Sequence, residues 1–188
     1  MLIHLGRHQL WCGDAKDAPF PKADMVLTDP PFEMSANEVA QVIKKFSEIF
    51  VVAGHGKNYH HLCAAFRYHF EIVSVRSKPQ STPQRKSPQI LHWNNAFLTT
   101  GCEHCFDRDL VGTYFPSVME CKSLQSGYAK PLEWALNILR ACHAATVVDC
   151  FAGTGTTLIA CEKLGKTCYA AEKDNRLCQL IQERFLAS

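Results

Sequence analysis

Short apolar runs alternate along the chain with longer stretches in which apolar residues recur every three or four positions. Met25-Val26-Leu27-Thr28, Phe50-Val51-Val52-Ala53 and Thr146-Val147-Val148 read as buried strands. Leu10-Trp11-Cys12, closed by Gly13-Asp14, predicts a further strand. So do Phe70 to Val75, a segment resuming at Ile90, and Thr167 to Ala171 ending at Glu172. A helix is predicted from Asn37 to Phe50, with Val39, Val42, Ile43, Phe46 and Ile49 on one face. Others are predicted from His60 to Phe70, from Lys130-Pro131 through Cys142, from Thr156 to Leu164 before Gly165, and from Asp174 to Leu186 with Asp174 as the cap. Strand-helix alternation of this kind implies an α/β sheet flanked by helices.

The pattern breaks at Arg76. The stretch RSKPQSTPQRKSPQ carries Arg76, Lys78, Arg85 and Lys86, three prolines and no apolar residue, a composition expected of a mobile loop. A polar, less regular region then runs to about Ala129.

Composition narrows the class without deciding it. A chain of 188 residues suits one domain, and 47% hydrophobic with 20% charged residues is ordinary for a soluble globular protein. A net charge of +2 is too small to argue for nucleic acid, so any basic surface is local. No apolar run is long enough to span a bilayer, and the N-terminal MLIHLGRHQLWCGD has no signal-peptide core, so a cytoplasmic protein is expected. The ten cysteines, several of them in apolar segments such as HLCAAF and LIACEKL, read mostly as reduced core residues.

Two loops carry candidate chemistry. The first is Asp149-Cys150-Phe151-Ala152-Gly153-Thr154-Gly155-Thr156-Thr157, between a strand and a helix, where α/β folds bind ligands. A phosphate-binding P-loop needs Gly-Lys-Ser/Thr at its end, and no lysine follows Gly155. A dinucleotide fingerprint needs a third glycine where Leu158 stands. The remaining reading is a nucleoside cofactor without a pyrophosphate, such as S-adenosylmethionine. Glu172 supports it, because an acid ending the next strand can accept hydrogen bonds from ribose hydroxyls. The plainer alternative is a tight turn beside a surface glutamate.

The second loop is Asp29-Pro30-Pro31-Phe32. Proline cannot donate to a sheet ladder, and each proline pushes the preceding residue out of the helical region, so the strand ends at about Asp29. A strand-ending turn explains that much. The residues also suit chemistry on an exocyclic amino group, whose lone pair is delocalised into the base. The Asp29 carboxylate and the Pro30 carbonyl can accept its two hydrogens, and Phe32 can stack a base taken out of the duplex. No proline is followed by cysteine, which disfavours the covalent route used for carbon-5 methylation of cytosine.

Together, and in this order, the two motifs resemble the β-class amino-methyltransferases of DNA. In that family the chain is circularly permuted, so the catalytic motif precedes the cofactor loop. The resemblance implies a single Rossmann-like α/β methyltransferase domain over residues 1–188, with a seven-stranded, mostly parallel sheet containing one antiparallel strand. It implies catalysis at Asp29, Pro30, Pro31 and Phe32. Phe151, Gly153, Thr154, Gly155 and Thr156 match the motif that holds S-adenosylmethionine, with Asp149 at its head. Glu172 matches the ribose-binding acid, Lys130-Pro131 the pair before the helix supporting the methionine end, and Asp14 of Gly13-Asp14 an acid near the cofactor's adenine. Cys150 stands where the family usually has proline, and Phe32 replaces the commoner tyrosine.

The implied activity is methyl transfer to the N6 amino group of adenine in DNA, by base flipping and direct in-line transfer. Asp at the head of the motif favours adenine over cytosine. The alternatives are N4-cytosine methylation, an RNA adenine substrate, and a non-catalytic DNA-binding subunit of the same fold. The segment at about 76–128 leaves only about fifty residues for target recognition, so short or relaxed specificity is expected. Such compactness fits a phage, prophage or orphan enzyme. Arg76, Lys78, Arg85 and Lys86 are the expected phosphate contacts to DNA. Cys102 and Cys105 form only one CxxC pair, where structural zinc usually takes two, so no metal is expected. No membrane partner is expected, and the sequence leaves a homodimer open.

Overall fold

The computed structural model describes residues 1–31, 33–54, 68–80, 91–99, 114–117 and 130–188. In chain order the strands are β1 (Leu2–Leu5), β2 (His8–Cys12), β3 (Met25–Thr28), β4 (Phe50–Gly54), β5 (Tyr68–Gln80), β6 (Leu91–Thr99), β7 (Tyr114–Ser117), β8 (Thr146–Asp149) and β9 (Thr167–Glu172). The helices are α1 (Ala36–Lys44), α2 (Leu132–Arg140), α3 (Thr156–Lys163) and α4 (Asn175–Leu186), with a short 3-10 turn at Ala15–Asp17.

Among the described residues, one sheet holds nine strands, in the order β1-β2-β9-β8-β3-β4-β6-β5-β7. From β2 to β4 every neighbour is parallel. β6 is antiparallel to both β4 and β5, and is therefore reversed within an otherwise parallel run. Among the described residues, the sheet extends past the expected seven strands at both edges. β1 folds back on β2 as an antiparallel hairpin, and β7 adds in parallel to β5. Pro116 is tolerated in β7 because a strand at the sheet edge needs no hydrogen-bond donor on its outer side.

β3 and β8 lie at the middle of the order, and their apolar runs are explained by burial on both faces. Side chains alternate across a strand. Met25 and Leu27 join a core with Val147 and the buried faces of α2, α3 and α4. Val26 and Val148 turn the other way, onto Val39, Val42 and Ile43 of α1 and onto Phe46. Side chains clamp this parallel pair at both ends. At the start, the Asp24 carboxylate accepts the N–H groups of Ala145 and Thr146 and the Thr146 hydroxyl at 2.8–2.9 Å. At the finish, Thr28 donates to Asp149 at 2.8 Å across 121 residues of sequence.

Three other expectations change. α1 ends at Lys44 instead of reaching Phe50, because the Phe46 N–H bonds back to Ile43 and the chain must turn to pair Phe50 with Val26. It begins with a capping box in which Ser35 and Glu38 satisfy each other's backbone donors. Tyr68–Phe70, predicted as the end of a helix, lie in β5, while residues 60–67 are outside the described residues. Arg76–Gln80, predicted as loop, continue β5: Arg76 pairs with Ser117 of β7 and Gln80 with Leu91 of β6. Ladder pairing on two sides outweighs a loop-like composition, and the register shifts between Val75 and Gln80, the interval that contains Pro79.

The candidate active site

Because β2, β9, β8, β3 and β4 run parallel, their carboxyl ends share one edge of the sheet. Along that edge stand Gly13-Asp14 after β2, Glu172 at the end of β9, the glycine loop after β8, and Asp29 after β3. Residues numbered 14, 29, 149 and 172 become neighbours only through strand order. This is the edge at which open α/β sheets bind ligands.

The glycine loop is held from both sides. Ala152 donates to the Ala171 carbonyl of β9 at 2.9 Å, and Gly155 to Ala152 at 2.8 Å. Arg184 of α4 donates to the Thr154 carbonyl. Gly153 and Gly155 have φ of +54° and +79°, a region that glycine enters without penalty. A Cβ on Gly153 would meet nothing within 4 Å, so this turn opens onto space. Glu172 shapes the same turn, its Oε2 accepting from the Gly153 N–H and its Oε1 from Asp174, both at 2.8 Å. An ionised carboxylate has about four lone-pair directions, so it retains acceptor capacity for a ribose diol.

Asp14 acts locally. Its carboxylate caps the 3-10 turn by accepting from Lys16 at 2.9 Å, and its carbonyl accepts from the Trp11 indole at 3.0 Å. Asp29 is partly exposed and Pro30 buried, while the Pro31 carbonyl accepts from Met34 in the turn into α1. Asp29 forms an ion pair with Lys130 at 2.9 Å, the side chains being 28% and 16% exposed. Phe32, Arg85, Lys86, Cys102 and Cys105 lie outside the described residues, and Arg76 and Lys78 fall on β5.

Sequence reasoning places Asp149 at the cofactor. In the structure it is buried and its carboxylate accepts from Thr28 at 2.8 Å, from the Phe151 N–H at 3.2 Å and from the Thr157 hydroxyl. Burial is the main reason its pKa rises from 3.8 to about 6, with the nearby charge of Asp29 adding to the rise. The hydrogen bonds oppose that rise without cancelling it. Sequence reasoning misses Thr28 and Thr157. The available signal is a hydroxyl ending an otherwise apolar strand.

This acid has a pH consequence. A carboxyl with a folded pKa above its unfolded value contributes stability that is complete at low pH and lost as pH rises through about 6. The displacement corresponds to about 3 kcal/mol. Urea unfolding of wild type and Asp149→Asn is therefore expected to diverge, wild type losing about that much relative to the variant between about pH 4 and pH 7. Parallel pH curves would show that Asp149 titrates normally.

A family model described as DNA methylase, of the N6/N4 type, matches residues 34–183. The chain belongs to the N6/N4 DNA methylase family. The match runs from just before α1 into α4 and starts at Met34, two residues past Phe32 of the Asp29-Pro30-Pro31-Phe32 motif. Among solved structures, the M1.HpyAVI–SAM complex is 18% identical with a TM-score of 0.75, covering 94% of this chain and 99% of that one. TTHA0409 of Thermus thermophilus, complexed with S-adenosyl-L-methionine, is 21% identical with a TM-score of 0.67, covering 96% and 93%. The PvuII DNA methyltransferase, cytosine-N4-specific, is 16% identical with a TM-score of 0.70, covering 96% and 93%. At these identities the likenesses show the fold, an α/β Rossmann-like methyltransferase. No curated protein matches the chain. Among the described residues, no helix is long and apolar enough to cross a membrane.

Proposed function

We propose that this methylase transfers a methyl group from S-adenosylmethionine to the N6 amino group of adenine in DNA. The observation that carries the reading is the placement of Asp29 beside the glycine loop, on adjacent parallel strands fastened by the Thr28–Asp149 bond. The edge suits a nucleoside sulfonium. Glu172 offers acceptors to a ribose diol, Gly153 opens onto space for a close backbone approach, and the loop carries no lysine for phosphates. Asp14 and the loop residues Phe151, Thr154, Gly155 and Thr156 complete the proposed cofactor contacts.

When bound, S-adenosylmethionine supplies an electrophilic methyl group. The protein's part is to present the acceptor nitrogen. Asp29 accepts a hydrogen bond from the amino group, which restores lone-pair density to the nitrogen and offers an outlet for the proton shed on methylation. The stiff Pro30-Pro31 pair fixes where that carboxylate sits, and Phe32 provides the stacking face for the flipped base. Residues 76–128 supply the contacts to DNA, with Arg76, Lys78, Arg85 and Lys86 on its phosphates.

The test is incubation with labelled cofactor and unmethylated DNA or RNA, followed by digestion and identification of the modified nucleoside. N6-methyladenine from DNA is the expected product. N4-methylcytosine would reassign the base, label in RNA alone would reassign the substrate, and no label in either polymer would end the enzymatic reading.

A further inference from the structure

We propose that Lys130 is a positioning residue for the catalytic carboxylate, aligning Asp29 and linking its alignment to the cofactor loop. The inference rests on the methyltransferase reading above and assigns Lys130 a different role from holding the methionine end of the cofactor. Its ammonium lies 2.9 Å from Asp29 Oδ2, and both side chains are mostly removed from water. An exposed ion pair is worth little. This one sits where little movement is available to either partner.

Asp29 is fixed by the end of β3 on one side and by buried Pro30 on the other. Lys130 precedes Pro131, which occupies the cap of α2 at φ −59°, and α2 is anchored in the core through Trp134, Leu136 and Leu139. The Lys130 carbonyl accepts from the Thr156 hydroxyl at 3.2 Å. Thr156 is the first residue of α3, directly after Gly155. One residue thus touches the helix that follows the glycine loop with its backbone and the catalytic acid with its side chain. Whatever orders the loop also orders the origin of the Lys130 side chain.

The arrangement answers an electrostatic problem. Asp29 and Asp149 end adjacent strands and repel one another, and Asp149 cannot move because Thr28 and Phe151 hold it. The Lys130 ammonium, 2.9 Å from Oδ2, draws the Asp29 carboxylate into one orientation, from which it can accept from an amino group. Lys130 lies against one oxygen, Oδ2, and a carboxylate offers about four acceptor directions in all.

Steady-state methylation of DNA and direct cofactor binding, compared across wild type, Lys130→Met and Lys130→Arg, test the role. The methionine variant is expected to lose about a hundredfold in kcat, the effect of a misplaced catalytic group, with affinity for S-adenosylmethionine nearly unchanged. The arginine variant restores most of the loss, because it keeps the charge at slightly longer reach. In an Asp29→Asn background, Lys130→Met should cost little more, since the group it orients has lost its charge. An active wild type with unchanged kcat in Lys130→Met would overturn the proposal alone. So would a loss confined to cofactor affinity, which would return Lys130 to the methionine end. A wild type that labels neither polymer would overturn the methyltransferase reading beneath it.

Discussion

Asp29→Ala is expected to lower methyl transfer by about a thousandfold or more, the range seen when a positioned acid–base or electrostatic group is removed. Binding of S-adenosylmethionine should change little, because the glycine loop is held by Ala171, Glu172 and Arg184, none of which depends on Asp29. The split matters more than the size. A residue that acts only on the amino group lowers kcat and kcat/KM together. Truncation also removes the ion pair with Lys130, so Asp29→Asn is the companion variant: it keeps an acceptor oxygen, removes the charge, and should retain more activity than alanine. Single-turnover transfer and isothermal titration of the cofactor distinguish the outcomes. Full transfer in the alanine variant would remove Asp29 from the mechanism.

Gly155→Ala is expected to destabilise the fold by about 2–4 kcal/mol, from two separate causes. At φ +79° the backbone lies in the left-handed region, which costs an L residue about 1–2 kcal/mol. The new methyl would also stand 2.9 Å from Cγ1 and 3.1 Å from Cγ2 of Ile181, a fully buried β-branched side chain with little freedom to move. Gly153→Ala isolates the first cause, since φ is +54° there and no atom lies within 4 Å. It should lose only the conformational part, about 1 kcal/mol. Urea midpoints for both variants give the comparison, and equal losses would mean that α4 yields at Ile181. Cofactor affinity is expected to fall with Gly155→Ala, because relief of the clash moves either the loop or α4.

The placement of much of the candidate site was legible because its residues mark backbone geometry. Pro30-Pro31 stop a strand whatever surrounds them, and so put Asp29 at a strand end. Two glycines between an apolar strand and a helix announce a turn at a ligand-binding edge, and Glu172 ends the strand that follows. The second role of each acid was not legible. Glu172 braces Gly153, Asp14 caps its own turn, and Asp149 is buried as the tie between two strand ends. Nothing local distinguishes a carboxylate that meets a ligand from one that meets a neighbouring backbone N–H. The same limit applies to Arg76–Gln80, whose composition predicts loop while partners in β6 and β7 make it strand.

By itself, then, the sequence determined the α/β class, the ends of the central strands and the strand-end positions of the candidate residues, because those depend on side-chain period, proline and glycine. Tertiary structure decided which of them meet. The order β2-β9-β8-β3 brings Asp14, Glu172, the glycine loop and Asp29 to one edge, and adds the Thr28–Asp149 and Lys130–Asp29 contacts across it. Strand order and direction are set by how the apolar faces of β3 and β8 are covered from both sides, a packing solution spread over the whole chain. A pairing between residues 121 positions apart leaves no mark in either local segment.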